Sequence, residues 1–287
     1  MAINAVGKTI RIIRKSKNIK SKDLYHNIVS RSFYSKFEKG NCDTTTTIFF
    51  EILENLPISF EEFMYIHNNH TAPLHVYFCN RFHFAFLSND ISTMKSISEG
   101  LDLIIDEQKS LTHLSLTLHL LINKKEKKEI DASLADPLKD YLLNCQIWSY
   151  YELTLFTNIL FIFDIELVDV LIDRALLNIH KFRHLNREHM GTVMLLFNLI
   201  FLNINHNRIP MAKFYLDKLK KVPLRPNAMF EKNIILFIEG IVLKKSTILN
   251  GDAMIKRALN NFLNLDMTEC YATFNDYFLT SFFEGNA

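Results

Sequence analysis

Apolar residues recur at helical spacing near the amino terminus of the chain. Val6, Ile10 and Ile13 stand three or four residues apart with basic side chains between them, which predicts an amphipathic helix over about 5–17. Turn-forming and capping residues divide the following stretch into four more predicted helices, at about 21–28, 31–40, 44–55 and 59–66.

The second and third predicted helices are short and tightly joined, which is the geometry of a helix-turn-helix. Ser21 is the expected cap of the second helix. Ser59 opens the fifth helix with Glu62 three residues later, in the S-x-x-E pattern of a capping box. Five helices in so short a stretch predict a small amino-terminal domain over residues 1–67.

A polar segment over residues 68–73 breaks the helical pattern and predicts a linker. Beyond it, helices are predicted at about 74–87, 91–105, 110–123 and 137–144. Helical hairpins then follow, with first helices starting near Trp148, Arg187 and Asn227 and partners near Glu166, Pro210 and Gly251, before a last helix at about 268–283. A step of about 40 residues is typical of TPR-like helical-hairpin solenoids, whose stacked repeats form a concave surface. Residues 74–287 are therefore predicted to form one helical-repeat domain.

The composition supports an all-α fold. The chain has 24 Phe but only 7 Gly and 6 Pro, which leaves few of the turn residues that hairpin-rich β proteins need. Its four cysteines are scattered, which favours a reducing compartment. We find no targeting signal, and the apolar run over residues 153–165 is short and broken by polar residues, so we expect a cytoplasmic protein without a membrane span.

Positive charge is concentrated at the amino terminus. The whole chain carries a formal net charge of only +2, but residues 1–40 hold ten basic side chains against two acidic ones. Such a segment around a helix-turn-helix predicts a polyanion partner, namely double-stranded DNA.

Two stretches resemble one protein family. Residues 8–17 and 30–40, the latter reading SRSFYSKFEKG, are similar to the amino-terminal domain of the Rgg-type regulators of Gram-positive bacteria, which is a phage-repressor-like helix-turn-helix. Residues 148–158, reading WSYYELTLFTN, are similar to the family's W-x-Y-Y-E-x-x-L-F-x-N signature. The resemblance implies a homodimeric regulator with a helix-turn-helix domain and a sensor domain that binds a short hydrophobic signalling peptide.

The phage-repressor pattern assigns roles to several polar residues. Arg31, Ser32 and Lys36 lie early in the second helix of the motif and would face base edges in the major groove. Ser21 matches a position where many relatives carry Gln, and its short side chain reaches a phosphate more readily than a base. Phosphate contacts are also expected from Lys17, Lys39, Asn41 and Thr45. Arg14 and Glu38 match the internal ion pair of these domains and are expected to be structural.

Four residues of the repeat domain are candidates for peptide binding. Asn158 and Asn198 are amides among apolar residues, on the first helices of two successive predicted hairpins. In peptide-binding helical repeats, amides at such positions form hydrogen bonds with the backbone of the ligand. Arg81 and Tyr151 are candidates for a carboxylate anchor and an aromatic wall. An inter-helix hydrogen bond or a solvated patch remains an equally good interpretation of each residue.

Motifs of enzymes and metal sites are not recognised in the sequence. His180, His184 and His189 have helical metal-ligand spacing but lack the H-E-x-x-H pattern, and no P-loop, dinucleotide fingerprint or nucleophile motif occurs. We therefore expect no enzyme activity, no metal and no cofactor.

The sequence thus predicts a DNA-binding transcriptional regulator controlled by a peptide. Two alternatives remain open at this point. One is a helical-repeat interaction scaffold without sequence-specific DNA binding, and the other is a repressor whose repeat domain binds no ligand.

Overall fold

Helices make up the regular structure of the described part of the chain. The computed structural model describes residues 5–105, 109–179, 181, 188–246 and 250–283, and over these ranges it contains helices but no strand. No described helix combines the length and the apolar character that crossing a membrane requires. The chain divides into two units, of which the first ends at Tyr77 and the second begins at Phe78.

The first unit contains five short helices and the start of a sixth. They are α1 (Val6–Ser16), α2 (Ser21–Leu24), α3 (Arg31–Phe37), α4 (Thr46–Glu54), α5 (Phe60–His67) and α6 (Leu74–Leu87), the last of which contains the division between the units. The predicted linker at 68–73 lies just before α6. The turn between α2 and α3 spans residues 25–30, an arrangement consistent with the predicted helix-turn-helix.

The core of this unit forms where α1 crosses α3. Ile10 and Phe37 are fully buried there. Gly7 permits the close approach, because a Cβ atom at this position would lie 1.9 Å from the carbonyl oxygen of Phe37. The two helices are therefore held in backbone contact, which fixes the orientation of α3.

The second helix differs from its prediction at both ends. Lys20 caps α2, whereas Ser21 is the first helical residue and makes no capping hydrogen bond with its side chain. The helix ends at Leu24 rather than near residue 28, and Asn27 follows with a positive φ of 60°. Backbone in this left-handed conformation cannot continue a right-handed helix, so the α2 segment is shortened. The predicted capping box of α5, by contrast, is confirmed at Ser59 and Glu62.

The second unit begins with most of α6 and, over its described residues, continues through ten more α-helices. They are α7 (Ile91–Asp102), α8 (Lys109–Lys125), α9 (Ala132–Asn144), α10 (Tyr150–Ile159), α11 (Ile165–Ile179), α12 (Glu188–Asn205), α13 (Ile209–Lys220), α14 (Met229–Lys245), α15 (Gly251–Asn264) and α16 (Thr268–Phe283). A short 3-10 helix (Leu160–Ile162) directly follows α10, the fifth helix of the unit. The α9 helix begins at Ala132, five residues before its predicted start at Pro137. Asp131 caps it by accepting a hydrogen bond from the Ser133 amide, so Pro137 lies inside the helix.

Three hairpins follow one another in this unit, as the sequence period predicts. They are α10 with α11, α12 with α13, and α14 with α15. The first helices contact one another in order, α10 against α12 and α12 against α14. A continuous core runs through them, with Phe156, Leu199 and Phe237 fully buried. The all-helical, repeat-based architecture predicted for this part of the chain is confirmed.

The last helix packs back onto the repeats. Phe274 of α16 contacts the rings of Phe197, Phe237 and Phe262 with centroid separations of 5.1–6.0 Å. The hydroxyl of Thr273 donates to the carbonyl oxygen of Leu87 at the end of α6. The α16 helix thus connects the start of this unit to its final hairpin.

Candidate functional site

The α3 helix displays polar side chains outward while its buried side anchors it. Ser30 caps the helix by accepting a hydrogen bond from the amide of Phe33 at 3.3 Å. Arg31, Ser32 and Lys36 are all exposed to solvent. Ser32 and Lys36 are four residues apart and therefore lie on the same side of the helix.

A buried ion pair between Arg14 and Glu38 links α1 to the end of α3. The Arg14 guanidinium donates from Nε to Oε1 of Glu38 at 2.6 Å and from Nη2 to Oε2 at 2.8 Å. Arg14 also donates to the carbonyl oxygen of Ile19, and the hydroxyl of Tyr25 donates to Oε1 of Glu38 at 3.1 Å. The hydrogen bond to Glu38 holds the pKa of Arg14 above its usual value, and burial together with the Glu38 charge raises the pKa of Tyr25. The predicted structural pair is confirmed.

The network joins three segments of the first unit. Arg14 belongs to α1, Tyr25 follows α2, and Glu38 follows α3. The ring of Tyr25 also stacks on that of Tyr34 with centroids 4.8 Å apart. These contacts fix the orientation of α3, so that its exposed residues are presented on a rigid frame.

The other predicted DNA contacts lie around this helix in different settings. Lys39, Asn41 and Thr45 are exposed on the segment between α3 and α4, where the hydroxyl of Thr45 caps α4. Ser21 is half-buried at the start of α2. The ammonium of Lys17 donates to the carbonyl oxygen of Pro57 at 2.9 Å and would have to leave this bond to contact a phosphate.

In the second unit, the start of α10 is fixed by a buried carboxylate. Oε2 of Glu152 accepts hydrogen bonds from the amide and the hydroxyl of Ser149, while Oε1 accepts one from the hydroxyl of Tyr141 on α9. Burial raises the pKa of Glu152, but these hydrogen bonds more than offset that effect and leave the pKa below its usual value. Trp148 is fully buried and donates from Nε1 to the carbonyl oxygen of Leu142.

One side of α10 is open to solvent and carries polar groups. Tyr151, Thr154 and Asn158 are exposed and stand three and four residues apart, which places them along a single helix face. We call these three residues the α10 face. It contains two of the four predicted peptide-binding residues, together with Thr154, which the spacing alone could have indicated.

The remaining two predicted peptide-binding residues lie elsewhere. Asn198 of α12 is half-buried and donates from Nδ2 to the carbonyl oxygen of Thr157 at 2.8 Å, so it bridges α12 to α10 beside Asn158. Arg81 is exposed on α6. The structure therefore brings Tyr151, Asn158 and Asn198 to one pair of helices, with Arg81 on a helix outside that pair.

One further residue was missed by the sequence analysis. His113 of α8 is buried, and its Nδ1 lies 2.9 Å from the hydroxyl oxygen of Tyr151. The only signal available in the sequence was a histidine between leucines at positions 111 and 114 of an amphipathic helix. Such a pattern is typical of an ordinary buried side chain as well, so it did not single out His113.

No cluster of His, Cys, Asp or Glu suited to a metal ion occurs among the described residues. The three histidine side chains at positions 180, 184 and 189 lie outside the described part of the chain.

A small helical domain with an exposed, capped helix, followed by stacked helical hairpins, is the architecture expected of a helix-turn-helix protein with a helical-repeat domain. The model of the family described as "HTH-type transcriptional regulator Rgg, C-terminal domain" matches residues 101–276, which is more than half of the chain. The chain belongs to the Rgg family of transcriptional regulators.

Solved structures of similar proteins agree with this assignment. A Listeria monocytogenes EGD-e protein classed as a transcriptional regulator is 26% identical, with a TM-score of 0.79 over 96% of this chain and 98% of that chain. The Streptococcus dysgalactiae SHP pheromone receptor Rgg2 is 18% identical, with a TM-score of 0.72 over 95% and 98% of the two chains. PrgX in complex with cCF10 is 13% identical, with a TM-score of 0.68 over 97% and 100%. The last two likenesses show the fold alone.

Proposed function

We propose that this Rgg-family protein is a cytoplasmic homodimer that binds double-stranded DNA through α3 and is controlled by a short hydrophobic peptide bound at the α10 face. One observation carries the proposal: this chain of the Rgg family contains two suitable helices. The α3 helix exposes basic residues and is held by the buried ion pair, and the α10 helix of the repeats has an exposed polar face.

The exposed residues of α3 suit the major groove of DNA. Arg31 has the planar donor pair that matches O6 and N7 of guanine, and Lys36 supplies a second cation further along the helix. Lys39, Asn41 and Thr45 lie on the following exposed segment, where side-chain donors contact phosphates and set the register of the protein on the duplex.

The α10 face suits a peptide because it combines an aromatic ring with hydrogen-bonding groups. Tyr151 offers an apolar ring, while Thr154 and Asn158 offer a hydroxyl and an amide to a peptide backbone. Two solved structures with this fold support a peptide ligand, because Rgg2 is a pheromone receptor and PrgX was solved in complex with cCF10. Arg81 remains a candidate partner for the peptide carboxylate.

The short length of α3 is the reason for proposing a dimer. The α3 helix has 7 residues and can read only a few base pairs. Two copies on two half-sites multiply affinity and specificity, which is how helix-turn-helix proteins reach useful selectivity.

Fluorescence anisotropy on the full chain tests the proposal. The probes are a labelled DNA fragment from upstream of the gene and a scrambled fragment of the same length. Each is titrated at several salt concentrations, with and without peptides from a library of short hydrophobic peptides. We expect tighter binding to the native fragment, a change in that binding when a library peptide is added, and loss of the preference in Arg31→Ala. Lys39→Ala should weaken binding to both fragments alike and reduce the salt dependence.

Other results would contradict specific parts of the proposal. Weak, salt-labile binding that is equal on both fragments would indicate an interaction scaffold rather than a sequence-specific regulator. Specific DNA binding that no library peptide alters would indicate a repressor without a peptide ligand. Equal loss on both fragments in Arg31→Ala would make Arg31 a phosphate contact.

A further inference from the structure

Three rings from three helices form a cluster, and one of them is Tyr151, the first residue of the α10 face. His113 of α8 packs against Tyr141 of α9 with ring centroids 4.4 Å apart, and against Tyr151 of α10 at 6.1 Å. The Tyr141 and Tyr151 rings approach edge to face at 6.3 Å. The cluster lies against the buried Glu152, which holds the Tyr141 hydroxyl.

The two tyrosines of this cluster use their hydroxyls differently. The Tyr141 hydroxyl is committed to Glu152, whereas the Tyr151 hydroxyl lies 2.9 Å from Nδ1 of His113. Burial and the negative charge of Glu152 raise the pKa of Tyr151 to about 12, so its phenol keeps its proton at neutral pH. When a phenol O–H donates to Nδ1 of a neutral imidazole, the lone pairs of the phenol oxygen can still accept a hydrogen bond from another donor.

Tyr151 is only partly exposed, although it lies on the surface of α10. Its exposed fraction as a residue is 37%, while that of His113 is 9%. A tyrosine on a helix surface ordinarily samples more than one rotamer, and ordering such a side chain on binding costs free energy. A hydrogen bond and ring contacts from within the protein restrict those rotamers before any ligand arrives.

We propose that His113 is a positioning residue for peptide recognition: its Nδ1 accepts the phenol O–H of Tyr151, so that the Tyr151 ring stands as a fixed wall and its oxygen accepts a backbone N–H of an extended peptide. This inference rests on the proposed function, because it concerns how the α10 face binds its ligand. It extends the site from α10 to α8, which carries His113.

Variants of the full chain separate this role from a merely structural one. His113→Leu removes the acceptor, His113→Asn retains a polar group near the position of Nδ1, and Tyr151→Phe removes the hydroxyl while keeping the ring. Ser115→Ala is the matched control, because Ser115 is also a buried polar residue of α8 but bonds Asp102 instead. Each variant is titrated with the fluorescein-labelled library peptide that binds the wild type most tightly, and the melting temperature of each variant is measured in parallel.

We expect His113→Leu and Tyr151→Phe each to weaken peptide binding about five-fold, the effect of one lost hydrogen bond. The double variant should be no weaker than Tyr151→Phe alone, because His113 acts on the peptide only through the Tyr151 hydroxyl. His113→Asn should recover most of the affinity, and Ser115→Ala should lower the melting temperature without changing the affinity. Additive losses in the double variant, or an unchanged affinity in His113→Leu, would overturn the proposal.

A second measurement does not depend on a peptide. With 3-fluorotyrosine incorporated at position 151, the ¹⁹F resonance should shift and broaden in His113→Leu relative to the wild-type background, because the ring loses its fixed environment. An unchanged resonance would show that His113 does not position Tyr151, even where the wild type binds peptide. If the wild type bound none of the library peptides, the proposed function itself would fail and the recognition role of His113 with it.

Discussion

Arg14 and Glu38 have side chains only 10% and 9% exposed, so each charge depends on the other. Glu38→Ala would leave the guanidinium buried without its carboxylate and would remove the acceptor of the Tyr25 hydroxyl. Breaking a buried pair in this way costs about 3–5 kcal/mol. We expect amide hydrogen exchange in α1 and α3 of the full chain to accelerate accordingly.

Lys39 provides the control for this prediction. It is the next residue along the chain and is exposed, so Lys39→Ala should change the free energy of unfolding by less than about 0.5 kcal/mol. If Glu38→Ala left exchange in α1 and α3 as slow as in the wild type, the structural role of the pair would be wrong.

The lowered pKa of Glu152 predicts how stability depends on pH. A carboxyl group whose folded pKa lies below its unfolded value stabilises the fold above that unfolded value, here 4.5, and loses the contribution as the pH falls below it. Glu152→Gln lacks this titration. We therefore expect urea midpoints of the wild type to fall more steeply than those of Glu152→Gln as the pH drops from about 6 to about 3.5. If the urea midpoints of the two proteins depended on pH in the same way, the stabilising role of the Glu152 carboxylate would be contradicted.

Single residues also show how far the sequence could predict the site. Glu38 and Arg14 were identifiable because a family pattern pairs them, and both partners lie in one small domain. Asn158 and Asn198 were indistinguishable in sequence, because each is an amide among apolar residues. Only the neighbouring helix decides that Asn158 is exposed whereas Asn198 donates to the Thr157 carbonyl.

At the scale of elements, the α1 and α3 helices meet at Gly7. Gly7→Ala would place a methyl group 1.9 Å from the Phe37 carbonyl oxygen, and neither helix backbone can yield without disturbing the core. We expect the first unit to lose about 1–3 kcal/mol or more of stability, measured by hydrogen exchange in α1.

Gly100 of α7 is the matched comparison for this substitution. A Cβ there would meet nothing closer than 3.9 Å, and alanine favours a helix over glycine by about 1 kcal/mol. Gly100→Ala should therefore be neutral or stabilising. Equal destabilisation by both substitutions would mean that helical glycine itself, rather than the close crossing, is what matters.

The α10 and α12 helices carry a second element-scale prediction, because Asn198 joins them and Asn158 does not. Asn198→Ala leaves the carbonyl of the buried residue Thr157 without this donor and should lower the free energy of unfolding by about 1–3 kcal/mol. Asn158→Ala should change stability by less than about 0.5 kcal/mol while weakening peptide binding about five-fold. Melts and peptide titrations of both variants check this. A destabilised Asn158→Ala with unchanged peptide affinity would remove Asn158 from the site.

Helix boundaries were predictable where capping residues and long apolar patterns agreed. The helices over 74–87 and 268–283 have the predicted bounds. The predicted end of α2 was wrong, because four helical residues contain too little periodicity to mark where a helix stops. The positive φ at Asn27 depends on the turn that follows and could not be predicted from the helix itself. The α9 helix was predicted to start at Pro137, but the cap at Asp131 starts it earlier, at Ala132.

At the scale of the whole molecule, the hairpin period of the sequence was enough to predict the repeat architecture, because stacking is the only way for each hairpin to cover its apolar face. The proposed peptide site was less predictable. A contact such as that between His113 and Tyr151 joins residues 38 positions apart, on helices that are not consecutive, and no local pattern encodes it.

The proposed homodimer gives the last prediction. If two copies of α3 read two half-sites on one face of the duplex, the centres of those sites must lie about one helical turn apart, or a multiple of it, roughly 10 base pairs. Inserting about five base pairs between the half-sites turns one of them to the opposite face, so a dimer can then contact only one site. We expect a large loss of affinity from this insertion and substantial recovery when about ten base pairs are inserted, because the sites again share a face. Anisotropy titrations of the three operators, run beside sedimentation of the free protein, check both steps. A monomer reading one site would bind all three operators equally, and that result would contradict the dimer.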